Sequence, residues 1–150
     1  MRYLIIMRHG EETENDFLGF AGRLKVTAVA KRITAIVKGP VVVISSPWEG
    51  ACETAEILAK KFKAELRISD ILFASSGKDE DCFAAAALVL AEKEGTEAVI
   101  LVTHLKYAKS FPSYYGKHFL GGVRWESKEL DKGEAWLIDC DAKILQKITD

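Results

Sequence analysis

The chain has 150 residues, of which 49% are hydrophobic and 29% charged, with a formal net charge of −1. That balance describes one domain able to bury a real core and excludes a disordered segment. Near-neutral charge gives nucleic acid no electrostatic footing, and no apolar run is long enough to cross a membrane or serve as a signal peptide.

The first predicted element is a strand over residues 3–7, Tyr3-Leu4-Ile5-Ile6-Met7. Its apolar residues do not alternate, which marks a strand buried on both faces of a mostly parallel sheet. It stops at Arg8-His9-Gly10, where glycine lets the backbone turn. Residues 11–22 are polar and glycine-punctuated and read as a loop. Thr27 then stands as an N-cap to a helix carrying Val26, Val29, Ala30, Ile33 and Val37, stopped by Gly39-Pro40. Residues 41–44 form a second continuous apolar strand ending at Ser45-Ser46-Pro47. Ser46 suits a cap and Pro47 the first turn of a helix whose stripe is Ala51, Ala55, Leu58 and Phe62.

A short strand is expected over 65–68, then irregular chain with a turn at Ser75-Ser76-Gly77. A third helix starts near Asp79 or Asp81 and buries Phe83, Ala86, Ala87 and Leu90. The third strong apolar run, 98–102, ends at Thr103-His104. Residues 106–125 give no clear pattern. Residues 134–139 and 144–148 read as a closing hairpin around Asp141-Ala142-Lys143. Strands alternating with helices imply a single α/β domain over 1–150, a three-layer sandwich with a mostly parallel sheet and helices on both faces.

Three apolar strands thus end alike, at Arg8-His9-Gly10, Ser45-Ser46-Pro47 and Thr103-His104. In a parallel sheet their ends share one edge, where such sheets bind ligands. Two of the chain's three histidines and an arginine would meet there. An arginine fork beside an imidazole suits a phosphate that needs both a clamp and a nucleophile. Cys52, Cys82 and Cys140 are scattered, without metal-ligand spacing or cationic neighbours, and read as reduced thiols of a cytoplasmic protein. No Gly-x-Ser-x-Gly elbow supports a serine nucleophile. His118 reads as a surface residue, and Trp48, Trp125 and Trp136 as core or rim.

In order and spacing, Arg8-His9-Gly10-Glu11, Ser45-Ser46-Pro47 with Glu53-Thr54-Ala55, Val102-Thr103-His104 and the closing Lys132-Gly133-Glu134-Ala135-Trp136 form a pattern. It resembles the histidine phosphatase superfamily, the phosphoglycerate-mutase-like group, and especially its short phosphohistidine phosphatases. The resemblance implies a ping-pong transfer in which His9 carries the phosphoryl group while Arg8 and His104 hold its oxygens. It implies Gly10, Glu11 and Ser46 along the substrate. It also implies a phosphorylated small molecule or phosphoprotein as partner, with no cofactor and no metal.

One position departs from the family pattern. The second phosphate-pocket arginine, expected in the helix after Ser-Pro, is replaced by Gly50. Losing such a donor typically costs about 10²–10³ in rate. Three accounts stay open. Another cation takes over, with Arg124, Lys106 and Arg23 as candidates; or the substrate fills the vacated space; or the domain is catalytically weak or inactive and keeps a phosphate-binding pocket. Glu11, Glu12, Asp79, Glu80 and Asp81 are all available as a general acid.

Overall fold

A computed structural model describes residues 1–73 and 76–150. Its sheet has six strands in the order β3-β2-β4-β1-β5-β6. They are β1 (Tyr3–Arg8), β2 (Val41–Ser45), β3 (Glu65–Ile68), β4 (Ala98–Thr103), β5 (Ala135–Asp139) and β6 (Ile144–Ile148). The first four run parallel; β5 pairs antiparallel with β1, and β6 antiparallel with β5. The helices are α1 (Phe20–Ile36), α2 (Glu49–Phe62), α3 (Asp79–Glu92) and α4 (Leu105–Phe119), with a 3-10 turn at Asp70–Phe73. The architecture is the three-layer sandwich with a C-terminal hairpin that the sequence implied. Among the described residues no helix is long and apolar enough to cross a membrane.

The alternation of side chains along a strand divides the core in two. Tyr3, Ile5 and Met7 of β1 face α1 and α2, meeting Val26, Ile33, Ala55 and Leu58. Leu4 and Ile6 face α3 and α4, meeting Ala85, Val89, Tyr107 and Phe111. Leu4, Ile5, Ile6 and Met7 are fully buried, each stabilising the fold by roughly 1.5–3 kcal/mol relative to exposure. This anchors the chain segment that ends at Arg8 and His9.

Several local expectations are corrected. α1 begins at Phe20, seven residues before Thr27, whose hydroxyl instead donates to the Arg23 carbonyl one turn back (2.7 Å). Gly22, expected in a loop, lies within α1, and glycine is required there because the Glu11 main chain lies against it: a Cβ would sit 2.2 Å from the Glu11 carbonyl oxygen. α2 begins at Glu49 with Trp48 in the cap position, so Ser46 is not its N-cap, and its Oγ accepts the Trp48 N–H just ahead of the helix. α3 buries Cys82, Ala85, Ala86 and Val89, leaving Phe83 and Ala87 exposed. Residues 83–91 are apolar on every side, so periodicity picks no unique face. The unassigned stretch 106–125 is mostly α4, which carries the buried Pro112 in its interior. Proline inside a helix removes one hydrogen bond and argues against helix when read locally. Of the turn expected at Ser75-Ser76-Gly77, Ser75 lies outside the described residues.

Candidate active site

The register of the sheet places the strand ends side by side. Arg8 pairs with Thr103, and Ser45 with Val102. The next residues continue the ladder: the His9 N–H donates to the Thr103 carbonyl (3.0 Å) and the Ser46 N–H to the Val102 carbonyl (2.9 Å). His9, Ser46 and His104 therefore meet at one edge because three buried strands stop in register.

His9 is 7% exposed, and its Nδ1 lies 2.9 Å from the Gly10 carbonyl oxygen. A carbonyl only accepts, so Nδ1 carries the proton and Nε2 is left as the basic nitrogen. Burial lowers the His9 pKa, and the Gly10 hydrogen bond and nearby Glu12 only partly offset it. The His9 and His104 rings are 5.2 Å apart. His104 is pushed down to about 4, first by burial and then by His9 and Arg8. Both imidazoles are accordingly neutral at neutral pH. Ser46 Oγ hydrogen-bonds His104 Nε2 (2.8 Å) and accepts the Trp48 N–H (3.3 Å), so it fixes the ring from behind.

Arg8 donates from Nη1 to the Leu130 carbonyl (2.8 Å), while its Nε is buried without a hydrogen-bond partner. The loop it grips is built to deliver a second cation. Residues 131–134 make a turn closed by the Glu134 N–H to the Asp131 carbonyl (3.1 Å). Gly133, at φ 82, holds the third position, as a type II turn requires. The Gly133 N–H is shared between the carbonyls of Arg8 (3.1 Å) and His9 (2.9 Å). Buried Glu134 accepts the Asp131 N–H through Oε1 (2.8 Å). Lys132 then projects to the histidines and donates to Glu12 Oε1 (2.6 Å), while Glu12 Oε2 lies 3.5 Å from His9 Nδ1. Burial pushes the Glu12 carboxyl up, but the bond from Lys132 and nearby His9 outweigh it, and its pKa falls below the ordinary value.

These groups line a cavity of about 480 Å³: Arg8, His9 and His104, with Glu12, Lys132 and the rings of Trp48 and Phe73. Trp48 occupies the space over Gly50. A Cβ on Gly50 would lie 2.6 Å from Trp48 Cζ3, so the indole stands where a side chain at position 50 would begin. The same indole packs edge-on against His9, with ring centroids 4.6 Å apart.

Arg8, His9 and His104 are thus brought together, and Ser46 stands one layer behind. The Gly10 N–H is committed to Thr54 Oγ1 (3.0 Å), so Gly10 orients the loop and the His9 tautomer. Glu11 is exposed, its main chain packed on Gly22. None of the three candidate cations lines the cavity. Arg124 is exposed beside Trp125, which packs on Gly116 near the far end of α4; Arg23 pairs with Glu53; Lys106 is exposed on the first turn of α4. Of the five acidic candidates, Glu12 alone lines the cavity, while Asp79, Glu80 and Asp81 form the first turn of α3. Sequence reasoning missed Lys132 as a site residue, along with Trp48 and Phe73. The available signals were a lysine–glycine turn before an antiparallel strand and a bulky ring two residues from Gly50.

This is the histidine phosphatase, or phosphoglycerate-mutase-like, fold. Among solved structures, the protein histidine phosphatase SixA complexed with tungstate superposes with a TM-score of 0.70 at 17% identity, covering 98% of this chain and 96% of its own. A chain assigned as a SixA phosphohistidine phosphatase in Agrobacterium tumefaciens gives a TM-score of 0.70 at 17% identity, over 98% and 95%. Mycobacterial glucosyl-3-phosphoglycerate phosphatase Rv2419c gives 0.66 at 15% identity, over 100% and 97%. No protein-family profile and no curated protein matches the sequence.

Proposed function

We propose that the chain is a phosphatase that works through a phosphohistidine on His9. The observation that carries this reading is the tautomer. The Gly10 carbonyl accepts the hydrogen bond from Nδ1–H, leaving a neutral imidazole with a basic Nε2 in a cavity that holds Arg8 and Lys132. Nε2 attacks phosphorus, and the bond from phosphorus to the leaving oxygen or nitrogen breaks. The leaving group takes up a proton from solvent water as it departs. Water then attacks phosphorus, releases inorganic phosphate and restores His9. Arg8, Lys132 and neutral His104 donate to the phosphoryl oxygens as charge shifts toward them. Lys132 answers for the cation missing at position 50. Glu12 begins as the carboxylate, accepts a proton from the attacking water and returns it to solvent, which restores the carboxylate for the next turnover.

The solved neighbours support a phosphorylated substrate, since they include phosphatases of phosphohistidine and of a sugar phosphoglycerate. On this reading the substrate is a phosphoric monoester or a phosphoramidate such as phosphohistidine. The test is a rapid quench into alkali with an aryl phosphate and chelator present, followed by mass spectrometry of the peptide containing His9. An alkali-stable, acid-labile phosphate on His9, absent in His9→Ala together with turnover, is expected. Turnover that survives His9→Ala overturns the mechanism. Phosphate binding without phosphoenzyme or turnover makes the chain a phosphate-binding domain of this fold.

A further inference from the structure

Beyond Trp48 and Phe73 lies a second cavity of about 490 Å³, which shares those two rings and is otherwise lined by Pro47, Asp16, Glu49 and Asp70. The two chambers therefore meet along an aromatic ridge, and their charges are opposite. The first offers Arg8 and Lys132 against the single carboxylate of Glu12; the second offers three carboxylates and no cation. No ion pair among the described residues engages Asp16, Glu49 or Asp70.

The ridge is a built feature. The 3-10 turn that carries Phe73 is pinned from inside by Thr103 Oγ1, which donates to the Leu72 carbonyl (2.8 Å), and by the Tyr107 hydroxyl, which donates to the Ile71 carbonyl (2.8 Å). Leu72 is fully buried, yet Phe73 next to it is 53% exposed, its ring 5.6 Å from that of His104. An apolar ring held in the open beside a reactive centre is available to a ligand. Aromatic faces and uncompensated carboxylates together attract a cation, the rings through their quadrupole and the carboxylates through charge.

We propose that this second cavity is a subsite for a positively charged leaving group, so that the substrate is a small phosphate ester or phosphoramidate bearing an alkylammonium group. The inference rests on the reading of the first cavity as a phosphate site. The phosphate lies between Arg8 and Lys132, and the ammonium lies across the ridge against Trp48, Phe73 and the carboxylates. Each carboxylate is exposed and individually screened, so selectivity comes from the three acting with the rings. A substrate with a second anionic group, such as a phosphoglycerate, would bring its carboxylate against Asp16, Glu49 and Asp70.

Two non-hydrolysable phosphonates of equal size test this with the intact wild-type chain: (trimethylammonio)propylphosphonate, and the neutral isostere with tert-butyl in place of trimethylammonium. Calorimetric binding needs no turnover, so the result is independent of whether His9 becomes phosphorylated. The cationic compound is expected to bind about tenfold more tightly or better. In the Glu49→Gln/Asp70→Asn double variant the ratio of affinities should fall towards one. Equal affinities in the wild type, an unchanged ratio in the double variant, or binding of neither compound overturns the proposal. If the ratio holds while no phosphohistidine forms on His9, the subsite stands and the catalytic reading fails.

Discussion

The contact between Gly50 and the Trp48 indole makes a prediction whose sign depends on the background. Gly50 is the second residue of α2, and alanine there would gain at most about 1 kcal/mol of helix propensity. The added methyl, however, would lie 2.6 Å from Trp48 Cζ3 and 3.1 Å from Cε3. The indole has little room to yield, because its ring packs against those of His9 and His104 (centroids 4.6 and 5.8 Å away). Overpacking of this kind typically costs about 1–3 kcal/mol, so Gly50→Ala should destabilise by about 1 kcal/mol in the wild type. In a Trp48→Ala background the clash is gone, and the same substitution should stabilise by up to about 1 kcal/mol. The coupling between the two positions is then about 2 kcal/mol, within the range that contacting residues show. Urea unfolding of the four proteins, with m held common, measures it directly. If Gly50→Ala shifts stability by the same amount and sign in both backgrounds, the indole does not fill the place of a side chain at position 50.

Two further predictions concern the charges at the site. Lys132→Met should lower kcat/KM for an aryl phosphate by about 10²–10³, with Lys132→Arg recovering much of the loss; a Lys132→Met enzyme within twofold of wild type would refute the proposed role of Lys132 in holding the phosphoryl group. His104 has a folded pKa of about 4 against an ordinary value of 6.5. The unfolded chain therefore binds the extra proton first as pH falls, and stability must be full above 6.5 and decline down to about 4. Allowing for the partial exposure of the ring, the loss is about 1–2 kcal/mol, and His104→Gln should flatten that part of the stability–pH curve.

The strands and the residues at their ends were legible because continuous apolar runs have one reading in a parallel sheet. Arg8, His9 and His104 followed from where those runs stop. Helix limits were less legible, for reasons particular to each. Gly22 looks like a loop residue until Glu11 is seen lying against it, and Pro112 hides α4. The site's second cation was beyond local pattern. Lys132 precedes β5, and only the antiparallel direction of that strand brings its entry loop to the edge where the parallel strands end. Arg124, Lys106 and Arg23 were equally basic and equally conspicuous in sequence, and differ only in where the chain carries them. Nor does any sequence pattern show that a tryptophan folds back over a glycine two residues later.

The bifurcated hydrogen bond from Gly133 gives the site an order of assembly. Among the strands and helices of the domain β1 comes first in the chain, with Arg8 and His9 at its end. Their carbonyls nevertheless wait for an N–H more than a hundred residues downstream, and the Arg8 guanidinium waits for the carbonyl of Leu130. Bringing those ends together costs loop-closure entropy that only the docked C-terminal hairpin offsets. A chain that stops before residue 130 therefore carries Arg8 and His9 without the loop that fixes them. The cavity that holds Arg8, His9 and Lys132 is therefore complete only once the C-terminal hairpin has docked against β1.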